Sequence, residues 1–373
     1  MNPERPFSLS THAPLDFVDA THVRVGRRAL LYFAGTNYLG LGRHPQILEA
    51  MRKALEAGMT QPGASRATTG EHRLYREAET ALAKFFRLPA AALVPSGYLA
   101  PLAAVHALRP YSTHVLLGDQ AHACVQDAAV IAGLPAQRFT QGGTADLRKC
   151  LRTLPRSARP LILTDGTFGT RGGIAPLRDY LAALPKCGWL LVDDAHGAGV
   201  VGPGGRGAIA HFGLRDPRIV QTISLAKAFG VGGGAVLGDA KLMDALRGRA
   251  AAFVGSTSMP LAIAAGVMAG LNVLRAEPRR VRRLQTNAQR LHELLPSHAE
   301  IFSSSLTPIT AIIPSAPARA EAMRVALLRA GIYPPFIRYL SGPATGFFRL
   351  AVSSEHTTDD IECLASAVAV GLR

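Results

Sequence analysis

The chain has 373 residues, 48% hydrophobic and 18% charged, a composition that can build a large core and excludes a disordered chain. Its net charge of +15 raises the question of nucleic acid. However, the densest basic group, Arg275, Arg279, Arg280, Arg282, Arg283 and Arg290, is interleaved with Leu274, Val281 and Leu284 as on a solvated helix face, without aromatic partners, so no nucleic-acid partner is expected.

In chain order, residues 1–10 lack the apolar centre of a secretory leader. An extended stretch over 28–33 leads to Asn37-Tyr-Leu-Gly-Leu41. Helical periodicity follows over 45–57 and 74–86, then apolar runs suited to buried strands at 91–95, 114–117, 161–164, 190–193, 219–224 and 234–237, with a further helix over 177–184. Strands alternating with helices predict a mainly parallel sheet covered on both faces. Residues 261–294 read as long helix broken near Pro278, and a smaller α/β unit closes the chain: strand 309–313, helix 319–330, strand 348–353, helix 358–370. The expected layout is an arm over 1–45, a large domain over 46–272 with a seven-stranded sheet, and a small C-terminal domain over 273–373. The best span candidate, 259–274, is shorter than the roughly 20 residues a bilayer needs and contains Asn272, so no membrane span and a cytoplasmic location are expected. Cys124, Cys150, Cys187 and Cys363 are scattered without metal-ligand spacing, and no metal is expected.

Two segments carry the chemistry. Asp193 ends the apolar strand at 190–193, where an α/β sheet places ligand-binding groups, and His196 follows three residues later. Lys227 is one of six lysines and alone among them follows a predicted strand and precedes a glycine-rich turn, Gly230-Val-Gly-Gly-Gly234, with Ser224 three residues before it. An amine to hold an aldehyde, a carboxylate to hold a pyridinium nitrogen and a hydroxyl to hold a phosphate are the handles of pyridoxal phosphate (PLP). Ser96-Gly97-Tyr98, after a strand and opening a helix, offers a second phosphate cradle, and His122 ends the next strand where an imidazole could lie on a cofactor ring. Arg349 precedes an extended apolar run, and its guanidinium suits a carboxylate.

The ordered series Asn37-Tyr-Leu-Gly-Leu41, Gly63-Ala-Ser-Arg66, Gly70-Glu-His72, Ser96-Gly-Tyr98, Asp165-Gly-Thr-Phe168, Asp193-Asp-Ala-His196, Lys227-Ala-Phe-Gly230, Ser256-Thr-Ser-Met-Pro260 and Arg349-Leu resembles the α-oxoamine synthases. These are fold-type-I PLP transferases that condense an amino acid with an acyl-CoA. The resemblance implies that Lys227 carries the cofactor as an imine, Asp193 pairs with its ring nitrogen, His196 with its phenolic oxygen, and His122 stacks on the ring. It further implies that Ser96, Gly97, Tyr98 and Ser224 surround the cofactor, and that Ser256 or Thr257 reaches the phosphate of the neighbouring subunit of a homodimer. Arg349 takes the amino-acid carboxylate, with Asn37 near the substrate. Lys227, freed by the incoming amine, is expected to act as general base on the α-proton, its amine made less basic by burial and a cationic cofactor, with His122 orienting the acyl group. Decarboxylation after a Claisen step then gives an α-amino ketone.

The chain departs from the family at four places. Phe168-Gly169-Thr170-Arg171-Gly172 replaces Phe-Ser-Met-Asp-Gly, and Asp119 to His122 is one residue short of the usual spacing. Cys124 stands for a serine, and Tyr339-Leu340-Ser341 replaces a double proline after Ile337-Arg338. The amino acid, the acyl chain, and whether a CoA or an acyl-carrier thioester donates it are left open. Three other readings are an aminotransferase or decarboxylase of the same fold, which keeps Lys227 and Asp193 without needing the run at 256–260, a non-catalytic partner subunit, and a nucleic-acid-binding protein.

Overall fold

The computed structural model describes residues 14–338, 343 and 345–373; residues 1–13 of the expected arm and Tyr339-Leu340-Ser341 lie outside them. The chain packs as two compact units, one built from Thr36–Gly169 and Gly173–Arg283, the other from Met1–Gly35, Thr170–Gly172 and Leu284–Arg373.

The first unit is organised by seven strands: β1 (Ala90–Val94), β2 (His114–Gly118), β3 (Ala136–Phe139), β4 (Pro160–Asp165), β5 (Trp189–Asp193), β6 (Ile219–Ser224) and β7 (Gly234–Gly238). Their order is β1-β7-β6-β5-β4-β2-β3, and only β7 runs antiparallel to its neighbours. Strand residues alternate between faces. Leu117, Leu163, Leu191 and Val220 therefore enter one core with helices Leu99–Leu108, Ala123–Ala132 and Ala240–Arg249, whereas Leu116, Ile162, Leu190 and Val192 enter another with helix Leu177–Ala183. Burial on both faces is why these strands read as continuous apolar runs. At about 1.5–3 kcal/mol for each fully buried Leu or Val, the two cores hold the strand ends in fixed register.

That register sets up the site. Asp165 pairs with Asp193 and Asp193 with Thr222, which aligns the ends of β4, β5 and β6 in one row. The antiparallel β7 brings Gly234 opposite both Ser224 and Val94, so the loop after β1 starts beside the end of β6.

The second unit contains a four-stranded antiparallel sheet in the order Ile301–Phe302, Ile309–Ile312, Phe347–Ala351, Phe336–Ile337, with helices Pro317–Arg329 and Thr358–Gly371. Thr357 and Asp360 form a reciprocal capping box at the start of the last helix. Strands Asp16–Phe17, His22–Val25 and Arg28–Leu31 form a meander whose Val23 and Leu30 pack with Tyr333. The expected break near Pro278 separates helices Leu261–Ala276 and Arg279–Leu294. No helix among the described residues is long and apolar enough to cross a membrane.

Candidate active site

Of the residues assigned from sequence, all but Arg349 belong to the unit of Thr36–Gly169 and Gly173–Arg283. Asp193, the last residue of β5, is 4% exposed. Its carboxylate accepts from Ala195 N at 3.2 Å and from the Cys124 thiol at 3.3 Å, and it has no ion pair among the described residues. A buried carboxylate with one amide and one weak S–H donor is under-solvated. Next to it in register, Asp165 accepts from His122 N at 3.2 Å and Gln141 Nε2 at 3.0 Å. Burial, reinforced by the Asp193 charge, pushes the Asp165 carboxyl up to about 7. Burial and the same aspartate hold the Cys124 thiol far above its usual range, so it stays an S–H donor.

His122 begins helix Ala123–Ala132 as its N-cap: Nδ1 accepts from Cys124 N at 3.3 Å and lies 3.0 Å from Cys124 Sγ. With Nδ1 accepting, the neutral ring carries its proton on Nε2. The Tyr98 ring meets His122 edge-on at 6.3 Å, and its hydroxyl donates to Asp127, a bond that drives the phenol up to about 12.

Lys227 sits in the turn between β6 and β7, closed by Gly230 N to Lys227 O at 3.1 Å and Leu225 N to Gly233 O at 3.0 Å. Gly230 has φ +69°, and a Cβ there would lie 2.4 Å from Gly42 N, so only glycine fits. Lys227 Nζ lies 2.8 Å from His196 Nε2, and His196 Nδ1 lies 2.7 Å from the Tyr38 hydroxyl. When Lys227 is an ammonium donating to Nε2, the imidazole proton is on Nδ1 and is given to the Tyr38 oxygen. The charge on Lys227 acts on both Asp165 and Cys124, which ties the amine to the acidic row.

The proposed phosphate end is built from β1, β6 and β7. A Cβ on Gly97 would lie 2.7 Å from Ser224 Cβ, and one on Gly234 would lie 2.6 Å from Ser96 O, so two glycines let the loop close on the Ser224 hydroxyl. Ser96 Oγ accepts from Leu99 N at 3.3 Å at the start of helix Leu99–Leu108. Asn37 Oδ1 accepts from Gly42 N at 3.1 Å, a bond that closes the turn carrying Tyr38. Ser256 Oγ donates to Ala252 O at 2.7 Å, and exposed Thr257 bridges to Ser65; among the described residues neither side chain bonds another assigned residue. Arg349 is buried in strand Phe347–Ala351, in register with Ala311, and its backbone N donates to Pro335 O at 3.0 Å.

Three contributors carried no role in the sequence reading. Tyr38 and Asp165 lay inside matched runs, and the strand-end position of Asp165 was a usable signal; Gln141 had none. Gly169 acquires a physical meaning as well, since a Cβ there would meet His196 Nε2 at 2.6 Å.

An unpaired buried carboxylate, a lysine amine near its row and a hydroxyl in a glycine-walled cradle match the ring nitrogen, aldehyde and phosphate of PLP, and they fit the group. The fold and these side chains define a fold-type-I PLP transferase.

Residues 30–368 match the family aminotransferase class I and II. A putative 8-amino-7-oxononanoate synthase of Desulforudis audaxviator is 34% identical over 361 residues, covering 96% of this chain and 94% of that protein. An 8-amino-7-oxononanoate synthase of Thioalkalivibrio sulfidiphilus is 33% identical over 353 residues, covering 94% and 90%. Among solved structures, a serine palmitoyltransferase from S. paucimobilis with a bound PLP–myriocin aldimine superposes with a TM-score of 0.89 at 25% identity, covering 96% of this chain and 92% of that one. The chain belongs to the aminotransferase class I and II family and, within it, to the α-oxoamine synthases.

Proposed function

We propose that this enzyme joins a small amino acid to an acyl thioester, carried by CoA or an acyl carrier, with loss of carbon dioxide and release of the thiol. The product is an α-amino ketone, as the name of its 8-amino-7-oxononanoate synthase relatives suggests. PLP, when bound, supplies an aldehyde that captures the amino group and a protonated ring that draws electrons from the α-carbon.

The chain's residues take distinct parts in this reading. Lys227 Nζ holds the cofactor and, once displaced, removes the α-proton and later returns one to carbon. Its neighbour His196, fixed by Tyr38, orients that amine. Asp193 keeps a proton at the ring nitrogen, and Asp165 and Cys124 support its position. Backbone N–H groups at Ser96-Gly97 and the Ser224 hydroxyl receive the phosphate. Tyr98 and His122 flank the cofactor, and His122 presents Nε2–H to the acyl oxygen. Arg349 receives the amino-acid carboxylate, with Asn37 near the substrate. Ser256 or Thr257 serves the cofactor phosphate of a second copy, so the working form is a cytoplasmic homodimer.

The observation that carries the proposal is the Lys227–His196–Tyr38 chain beside the buried Asp193 row in an α-oxoamine synthase. Free thiol release, followed while amino acids are screened against acyl-CoAs, tests it. Transamination products without thiol would refute it.

A further inference from the structure

The end of the sheet away from the candidate active site carries a charged cavity. Lys227 and Asp193 stand at or just beyond the C-terminal ends of β6 and β5, whereas this cavity, about 480 Å³, is lined by Ile219, the first residue of β6, and by Gly238, the last of antiparallel β7. Ile219 and Ser224 bracket β6, about 17 Å apart at strand rise. Ligands of α/β sheets bind at the carboxyl ends of strands, so the fold itself gives no reason for a basic cavity here.

Arg87, Arg206 and Arg215 line this cavity, and none forms an ion pair with a carboxylate among the described residues. The two acids on its wall are committed elsewhere. Asp216 is gripped by Arg218 through Nε at 2.9 Å and Nη2 at 2.8 Å, and Asp239 caps helix Ala240–Arg249 by accepting from Lys241 N at 2.9 Å. Burial and, after it, the charges of Arg87 and Arg215 hold the Arg206 guanidinium below its usual range, which places the three cations near one another. Arg87 adds an independent sign: with φ 57° it is the only non-glycine residue among those described in the left-handed region. It ends helix Arg73–Phe86 at a position where glycine is favoured, yet a long cation is kept there at the cost of backbone strain. Phe86, Leu214 and Pro217 give the cavity an apolar wall beside the cations.

We propose that this cavity is a second ligand site that binds an organic pyrophosphate of the nucleoside diphosphate type. Guanidinium forks at Arg87, Arg206 and Arg215 take the phosphates, and the apolar wall takes the body of the molecule. The site is separate from the PLP site and does not depend on the reaction proposed above.

Calorimetric titration of the holoenzyme with ADP and with inorganic pyrophosphate tests the proposal. One ADP site per chain is expected, tighter than pyrophosphate and weakened by added salt. Arg206→Gln and Arg215→Gln should each weaken ADP at least ten-fold, with the visible spectrum of bound PLP unchanged. Arg87→Gly is the decisive variant, because glycine relieves the left-handed backbone: thermal stability should hold or rise while ADP binding drops by a similar factor. No heat with the unmodified holoenzyme, or undiminished ADP binding when Arg87→Gly, Arg206→Gln and Arg215→Gln are combined in one chain, would overturn it.

Discussion

Lys227 Nζ lies 2.8 Å from His196 Nε2, and the far nitrogen of the same ring lies 2.7 Å from the Tyr38 hydroxyl. The imidazole is thus held from both sides, and the proton it passes toward Tyr38 sets how well it accepts from the amine. Tyr38→Phe removes that hold without emptying the space. It should lower kcat about ten-fold, on the order of 1.4 kcal/mol, with little change in KM. Steady-state thiol release measures it, and an unchanged kcat would argue against any positioning role for Tyr38.

Gly169 stands where family members carry serine, so restoring serine looks harmless by sequence. The geometry says otherwise: a Cβ at 169 would lie 2.6 Å from His196 Nε2 and 2.7 Å from its Cδ2. Gly169→Ser should therefore displace His196 from Lys227 and reduce kcat, by about ten-fold or more, while leaving the fold intact. A variant as active as the unmodified enzyme would show that His196 moves freely.

Cys124 donates to Asp193 and lies 3.0 Å from His122 Nδ1. Serine keeps the donor and strengthens it, whereas alanine leaves the buried carboxylate with one fewer partner. Cys124→Ala should weaken PLP by roughly two- to ten-fold, matching about 0.5–1.5 kcal/mol for one lost hydrogen bond. Cys124→Ser should match or exceed the unmodified affinity. Equilibrium titration of apoenzyme with PLP distinguishes the two, and equal loss in both would mean the thiol acts by packing.

Asp165 carries a carboxyl raised to about 7 by burial and by Asp193. The fold keeps its proton where the unfolded chain, with a value near 4, has lost it. Its stabilising contribution is therefore complete below about pH 4 and is lost as pH rises through about 7. Asp194, raised to about 7 chiefly by burial, acts in the same direction. Melting of the apoenzyme should show stability declining across this window, and Asp165→Asn should make the decline shallower without removing it. A decline of unchanged steepness would place the titration elsewhere.

The sheet was legible because its central strands are buried on both faces, so runs such as 161–164 and 219–224 could hardly be anything else. Strand Ala136–Phe139 was not, since it is an edge strand with three exposed residues, Ala136, Gln137 and Arg138, and gives neither a run nor an alternation. At the site, Asp193, His196 and Lys227 were legible from strand ends and a glycine-rich turn. Tyr38 and Gln141 were not, because what gives them a role is a partner over one hundred residues away in the first case and, in the second, the end of β4, two strands across the sheet from the strand Gln141 follows. The meaning of Gly169 likewise exists only in the space beside His196.

The central claim is that Lys227 is the lysine that holds PLP beside Asp193. Reduction of the holoenzyme with borohydride, followed by digestion and mass spectrometry, locates the trapped cofactor. The expected result is a single modified peptide containing Lys227, absent in Lys227→Ala. Label on Lys53, Lys84, Lys149, Lys186 or Lys241, or no label on any lysine, would contradict it.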